Sequence, residues 1–142
     1  MLSAMRVLVT GGTGFVGSFV AVRLLRAGHD VRLLVRRPEQ VAVTFAPHGV
    51  EPQDVVRGDV LDEDAVRRAV QGCDAVVHAA AVFDLDPRHE ERLSTNATAT
   101  TIVLGAAVDA GCDPVVHVSS TVALTRAGGS DPSLPLGDVD QP

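Results

Sequence analysis

One short segment near the N-terminus constrains the fold more than any other part of the chain. Residues 6–17 read RVLVTGGTGFVG, so that a short apolar run leads into a glycine-rich turn and the turn leads into an apolar-periodic stretch. A Gly-x-Gly-x-x-Gly spacing is weak evidence alone, but a strand before it and a helix after it are the context in which it binds phosphates. The segment therefore predicts the first βα unit of a parallel sheet, with a phosphate site at the turn.

Each glycine of the turn has an expected task. We expect Gly11 and Gly12 to adopt backbone angles that a side chain disfavours, Gly14 to let a pyrophosphate approach the main chain, and Gly17 to let the helix lie close on the sheet. The helix N-terminus would offer N–H groups and a partial positive charge to the phosphates. A tight turn without any nucleotide is the alternative. The candidate phosphate-binding residues are Gly11, Gly14, Phe15, Val16 and Gly17.

The remaining sequence alternates short apolar strands with helices. This alternation predicts an α/β fold, a Rossmann-type doubly wound parallel sheet with helices on both faces and strand order 3-2-1-4-5. We expect one domain over 1–125, and a loop-like tail over 126–142 that is rich in Gly, Pro, Ser and Asp. The predicted strands are 6–10, 31–35, 54–57, 75–78 and 115–119, and the predicted helices are 14–27, a short turn after Pro38, 62–71 and 87–110.

The first predicted helix has an apolar face that we expect to lie against the sheet. The apolar residues at helical spacing on that face are Phe15, Val16, Phe19, Val20 and Leu24.

Composition excludes several classes of protein. A net charge of −6 over 142 residues argues against a nonspecific nucleic-acid binder. Neither cysteine lies in a metal-ligand or Cys-x-x-Cys spacing, so we expect Cys73 and Cys112 to be buried, reduced thiols of a cytoplasmic protein. The sequence contains no apolar run of membrane-spanning length and no recognisable signal peptide. The sequence does not fix the oligomeric state and is compatible with a homodimer.

Two arginines follow the second predicted strand, where an NAD-binding protein would carry an acidic residue for the ribose hydroxyl. Arg36 and Arg37 occupy this place after Val35. A guanidinium group there would bind the 2′-phosphate of NADP, so we expect NADP to be preferred, with NAD possible. The alternative is a solvated arginine pair at a strand end.

Other predicted strands also end in residues suited to a nucleotide. Asp59 is expected to accept a hydrogen bond from adenine and Val60 to line the base, unless Asp59 only caps the following helix. The small residues Ala79, Ala80 and Ala81 leave room for a dinucleotide. We interpret His78 before them as a packed or hydrogen-bonded core residue.

The long helix and the fifth strand add further polar candidates. Asn96 stands in an apolar-periodic stretch, where it either faces the cofactor or is a surface amide. Ser119, Ser120 and Thr121 follow the fifth strand and are candidate donors to a substrate oxygen. An acidic cluster precedes the long helix and is interpreted as helix-dipole compensation, not as a metal site. Its members are Asp84, Asp86, His89, Glu90 and Glu91.

These motifs together resemble the extended short-chain dehydrogenase/reductases, the NAD(P)-dependent epimerase/dehydratase group. The resemblance covers essentially the whole chain and about the first half of a typical member. It rests on TGGTGFVG, on Gly58-Asp59-Val60, on HAAA at 78–81, on NATAT at 96–100 and on VSST at 118–121. A glycine is usual in the family at the place of Ala99. The arginines after strand 2 are similar to those of reductase-like members that prefer NADP.

The resemblance implies a hydride-transferring enzyme, with Ser119 at the cofactor and Thr121 in the catalytic place. The family's Tyr-x-x-x-Lys, which would lie beyond Pro142, does not occur; the chain contains neither tyrosine nor lysine. We therefore expect the cofactor-binding half of an enzyme that acts on a carbonyl or alcohol substrate. The alternatives are a non-catalytic dinucleotide-binding module or redox sensor, and an inactive truncated gene product.

Overall fold

Within the described part of the chain, five parallel strands form one central sheet. The computed structural model describes residues 3–82 and 90–120. The strands lie in the order β3-β2-β1-β4-β5, as predicted, so the direction of winding reverses between β1 and β4. Their bounds are β1 Arg6–Thr10, β2 Asp30–Val35, β3 Asp54–Arg57, β4 Ala75–His78 and β5 Val115–His117.

Among the described residues, four α-helices connect the strands. The predicted helices are all present, with bounds within three residues of those expected, and a 3-10 turn over Ala46–His48 was not predicted. β5 ends two residues earlier than predicted. The helices are α1 Phe15–Arg26, α2 Glu39–Phe45, α3 Glu63–Val70 and α4 Glu90–Asp109.

The side chains of the strands alternate between two apolar cores, one on each face of the sheet. Val9 and Leu33 pack with α1 and α2 on one face, whereas Leu8, Leu34 and Val76 pack with α3 and α4 on the other. Because both faces are covered, the central strands are mostly apolar, as is typical of parallel sheets, and the charged Arg32 within β2 is paired with Asp54. The buried sheet fixes its carboxyl edge, where the candidate residues lie.

The prediction of the buried face of α1 was wrong for three of its five residues. Phe15, Val16 and Phe19 are 82%, 47% and 49% exposed. The buried residues of α1 are mostly small, namely Gly17, Ser18, Ala21 and Val22. At the start of the helix this is because Gly17 lies directly against the glycine turn, where there is no room for a side chain.

The two cysteines are free and buried, as predicted. Burial in the core raises the pKa of both the Cys73 and Cys112 thiols, which keeps them protonated at neutral pH. Within the described residues, no helix combines the length and apolar character needed to cross a membrane.

Candidate functional site

The glycine turn between β1 and α1 is packed so closely that its glycines cannot carry side chains. Gly11 has a φ of +72°, and a Cβ there would lie 2.6 Å from the Ala80 nitrogen. A Cβ on Gly17 would lie only 2.2 Å from the Gly11 carbonyl oxygen. The turn is therefore held between the Ala79–Ala80 peptide on one side and the first turn of α1 on the other.

The expectation for Gly12 was wrong, since its φ is not among the positive values. Gly12 instead leaves room for Leu33, because a Cβ would lie 2.7 Å from a methyl carbon of that side chain. Gly14 differs from both: a Cβ there would meet only the Gly11 carbonyl oxygen, at 3.2 Å. The outward side of Gly14 is thus the place where another molecule can approach the main chain.

The N-termini of α1 and α3 differ in whether side chains cap their free N–H groups. Gly14 caps α1 without any side-chain hydrogen bond, and the first turn of α1 contains no acidic residue. By contrast, Asp62 caps α3 through its bond from the Ala65 N–H at 3.1 Å, and Glu63 and Asp64 follow. Exposed helix N-termini attract negative charge. At α3 the N-terminal N–H groups and positive dipole are balanced by its own carboxylates, whereas those of α1 are available to an external anion.

A cleft of about 280 Å³ opens at this end of the sheet, beside the α1 N-terminus. It lies where the winding of the sheet reverses, which is where ligands bind in doubly wound folds. Nine of the predicted site residues line it: Gly11, Gly14, Arg36, Asp59, Val60, Ala79, Ala80, Ala81 and Asn96.

Four predicted residues lie outside this lining. Phe15 and Val16 form the first turn of α1, with exposed side chains, and Gly17 is buried beneath the Gly11 carbonyl. Ser119 follows β5 and is exposed. Thr121 lies outside the described residues, as do the tail over 126–142 and most of the acidic cluster. Among the residues that are described, no group of three or more potential ligands could hold a metal ion.

One end of the cleft joins the ends of β2 and β3. Arg36, Asp59 and Val60 line it. The Asp59 Oδ1 accepts a hydrogen bond from the Leu61 N–H at 3.0 Å, which shapes the turn. Because Asp62 caps α3, capping does not account for Asp59.

The opposite side of the cleft is built by the segment after β4. His78 is 1% exposed and its Nδ1 lies 2.7 Å from the Thr10 Oγ1, which confirms its interpretation as a hydrogen-bonded core residue. Burial first, and His117 second, lower the pKa of His78 to about 4, so it is neutral at neutral pH. Ala79 donates from its N–H to the Thr10 carbonyl at 3.2 Å.

Asn96 on α4 holds the next part of this segment. Its Oδ1 accepts from the Val82 N–H at 2.8 Å, and its Nδ2 donates to the Val82 carbonyl at 2.9 Å. The amide is therefore engaged with the main chain of residue 82. Asn96 lines the cleft while fixing one of its walls.

Eight further lining residues were not among the predicted site residues. Thr13 is the one with a hydroxyl in the glycine turn itself, and its place between Gly12 and Gly14 was the available signal. The others lie near predicted residues at the strand ends or on α4, and together with Thr13 they form the remaining walls. They are Leu34, Val35, Gly58, Leu61, Val82, Thr95 and Ala99.

The residues present fit a dinucleotide. The site combines a helix N-terminus that no side chain caps, an open approach at Gly14, and small residues at 79–81 along one wall. Arg36 supplies a positive charge at the far end of the cleft. The helix N-terminus and the approach at Gly14 suit the phosphates, the small residues suit an extended ligand, and Arg36 suits an anionic group at the end of that ligand.

Comparison with known proteins gives the same picture. The family model described as the NAD dependent epimerase/dehydratase family matches residues 7–136. A 3 beta-hydroxysteroid dehydrogenase/Delta 5-->4-isomerase of Mycobacterium tuberculosis is 34% identical over 94% of this chain and 37% of its own length.

Two solved structures share the fold. A UDP-glucose-4-epimerase from Stenotrophomonas maltophila, solved with bound NAD, is 27% identical over 89% of this chain and 40% of its own, with a TM-score of 0.74. A dTDP-glucose 4,6-dehydratase double mutant from Streptomyces venezuelae, also with NAD, is 36% identical over 82% of this chain and 39% of its own, with a TM-score of 0.68.

The chain thus spans well under half the length of the relatives that it matches. The matched family model nevertheless covers most of the 142 residues, including the glycine turn and every wall of the cleft. By sequence and by fold, the chain belongs to the NAD-dependent epimerase/dehydratase family.

Proposed function

We propose that this chain is the dinucleotide-binding part of an oxidoreductase, epimerase or dehydratase that transfers hydride between a nicotinamide and a carbonyl or alcohol substrate. The α1 N-terminus carries this proposal, because it opens on the cleft with no side-chain cap and no acidic residue. The bound coenzyme would accept or supply the hydride. The main-chain N–H groups of Phe15 and Val16 would bind its diphosphate, and residues 79–81 would lie along its length.

Two hydroxyl residues after β5 are proposed for the reacting end. Ser119 would hydrogen-bond at the nicotinamide side, and Thr121 would donate to the substrate oxygen, as the family resemblance implies. Asp59 and Val60 would contact the adenine at the other end of the cleft. The Asn96 amide would position the main chain of Val82, which forms part of the cleft wall.

The preference for NADP is part of the proposal. Arg36 is an exposed guanidinium on the cleft at the end of β2. A 2′-phosphate bound by arginine gains charge-assisted hydrogen bonds, often two in parallel. NADH lacks that phosphate and would gain nothing comparable from Arg36.

Removing Arg36 should therefore discriminate between the two coenzymes. We expect Arg36→Ala to raise the Kd for NADPH by roughly 10- to 100-fold, the equivalent of a charged hydrogen bond, and the Kd for NADH by less than about threefold. Isothermal titration of the purified chain with each coenzyme measures both. Arg68→Ala removes the same charge from α3, outside the cleft, and should leave both constants unchanged. An equal loss for NADPH and NADH would contradict the assignment.

A binding module without catalysis is the second candidate. The 142 residues contain no tyrosine and no lysine, which the family's proton transfer uses, so we expect these residues by themselves to bind coenzyme without turnover. Tight NADPH binding without oxidation of NADPH by any carbonyl substrate would support this candidate. Turnover by the same chain would exclude it.

A further inference from the structure

His78 connects three separate elements at the base of the cleft. It is the last residue of β4, and its ring is buried. Its Nδ1 lies 2.7 Å from the Thr10 Oγ1 at the end of β1, and its Nε2 lies 3.5 Å from the Thr100 Oγ1 on α4. Its ring stacks on that of His117 in β5, with centroids 5.3 Å apart. Nothing in the proposed function uses these contacts.

The direction of these hydrogen bonds follows from a fourth group. The Ala80 N–H donates to the Thr10 Oγ1 at 3.3 Å, so this oxygen is already an acceptor. If the Thr10 hydroxyl then donates to His78 Nδ1, and His78 Nε2–H donates to Thr100, each of the three protons has its own acceptor. The opposite tautomer would direct two protons at the Thr10 oxygen and give the proton of that hydroxyl no acceptor within the network.

We propose that His78 is a positioning residue of the coenzyme cleft, acting as a neutral imidazole with its proton on Nε2. Its Nδ1 orients the Thr10 hydroxyl, and that hydroxyl holds the Ala80 N–H. This inference rests on the proposed function for its effect on coenzyme binding, although the tautomer itself does not depend on it.

The position of the Ala79–Ala80 peptide matters because the glycine turn lies directly against it. A Cβ on Gly11 would come within 2.6 Å of the Ala80 nitrogen and 2.7 Å of the Ala79 carbonyl carbon. A shift of this peptide therefore moves the turn that precedes the α1 N-terminus. His78 thus acts on the cleft through Thr10 and Ala80, without lining it.

The charge state of His78 agrees with this role. Burial and the adjacent ring of His117 hold its pKa at about 4, so the ring has one proton at neutral pH. His117 is the titratable group stacked on it, and the hydroxyls of Thr10 and Thr100 are uncharged.

The tautomer is measured on the chain without coenzyme. Long-range ¹H–¹⁵N NMR of the ¹⁵N-histidine-labelled chain at pH 7 should give His78 an Nδ1 shift typical of an unprotonated ring nitrogen and an Nε2 shift typical of a protonated one. Loss of the signals in His78→Gln assigns them. A protonated Nδ1, or shifts averaged between the tautomers, would overturn the proposal. This result stands or fails whether or not the chain binds a dinucleotide.

The effect on the cleft is measured with variants of the intermediary. Thr10→Val keeps the shape of the side chain but removes the hydroxyl, and should raise the Kd for NADPH about tenfold, as expected for one lost hydrogen bond. Thr10→Ser should restore the affinity to within about threefold. Thr101→Val removes a hydroxyl that bonds only within α4, to the Ala97 carbonyl, and should have no effect.

Equal affinities for Thr10→Val and Thr10→Ser would overturn the positioning role. If the unsubstituted chain binds neither NADPH nor NADH, the proposed function fails, while the NMR measurement still decides the tautomer.

Discussion

Gly17→Ala is expected to destabilise the protein by about 3 kcal/mol or more and to weaken coenzyme binding at least about tenfold. The added methyl would lie 2.2 Å from the Gly11 carbonyl oxygen. Because this oxygen belongs to the main chain, it cannot move away by a side-chain rotation. Either α1 or the glycine turn has to shift, and both form the proposed phosphate site. Urea denaturation gives the free energy of unfolding, and titration with NADPH gives the affinity.

The chain offers a matched control on another helix. Gly105 lies within α4, and a Cβ there would meet nothing within 4 Å. Gly105→Ala should therefore stabilise the protein by about 0.5–1 kcal/mol, because alanine has the higher helix propensity, and should leave the affinity unchanged. Similar losses in Gly17→Ala and Gly105→Ala would show that the close packing of the turn is not the cause.

Acidification is the second change with a large expected effect. The pKa of His78 is about 4 in the folded protein and about 6.5 in an unfolded chain. Between these values the unfolded chain binds a proton that the native protein does not, so stability falls as the pH falls. The full difference is about 3 kcal/mol, and it is lost progressively from about pH 6.5 to pH 4. Below pH 4 the native ring is protonated as well, and its Nδ1 can no longer accept from Thr10.

Urea denaturation from pH 7 to pH 4.5 measures this loss. His78→Gln retains all other titratable groups, so the difference between the two pH profiles isolates His78. The variant should be less stable at pH 7 and should lose less stability on acidification. Parallel profiles would show that the residue is not held neutral by the fold.

The strands could be predicted almost to the residue because the sheet is buried on both faces. Leu8, Leu33, Leu34 and Val76 lie in short apolar runs that no amphipathic helix would contain, and polar or glycine-rich turns bound each run. The strand order followed from the handedness of the crossovers and from the glycine turn after β1. The same reasoning placed nine candidate residues on one cleft.

The buried face of α1 could not be predicted from periodicity. Hydrophobicity favours an inward position for Phe15 and Phe19, but the residue of the first turn that lies against the glycine turn is Gly17, where there is no room for a side chain. The role of Gly12 was missed for a similar reason, since its neighbour Leu33 belongs to another strand. Periodicity reports which residues are apolar and carries no information about the room on either side of a helix.

The polar contacts of the site could not be predicted from the sequence for a different reason. Asn96 was expected at the coenzyme, but its partner is the main chain of Val82, 14 residues earlier. The bond between Thr10 and His78 joins residues 68 positions apart. Such pairs are decided by how β1, β4 and α4 are packed, and a hydroxyl or an amide alone does not indicate which group it will meet.

The central claim is that the α1 N-terminus binds the diphosphate of a dinucleotide. A crystal structure of this chain grown with NADPH tests it most directly. We predict diphosphate oxygens within hydrogen-bond distance of the Phe15 and Val16 main-chain nitrogens, next to Gly14, with the adenosine end towards Arg36. Density for NADPH elsewhere on the protein, or none at this helix terminus at saturating NADPH, would contradict the account.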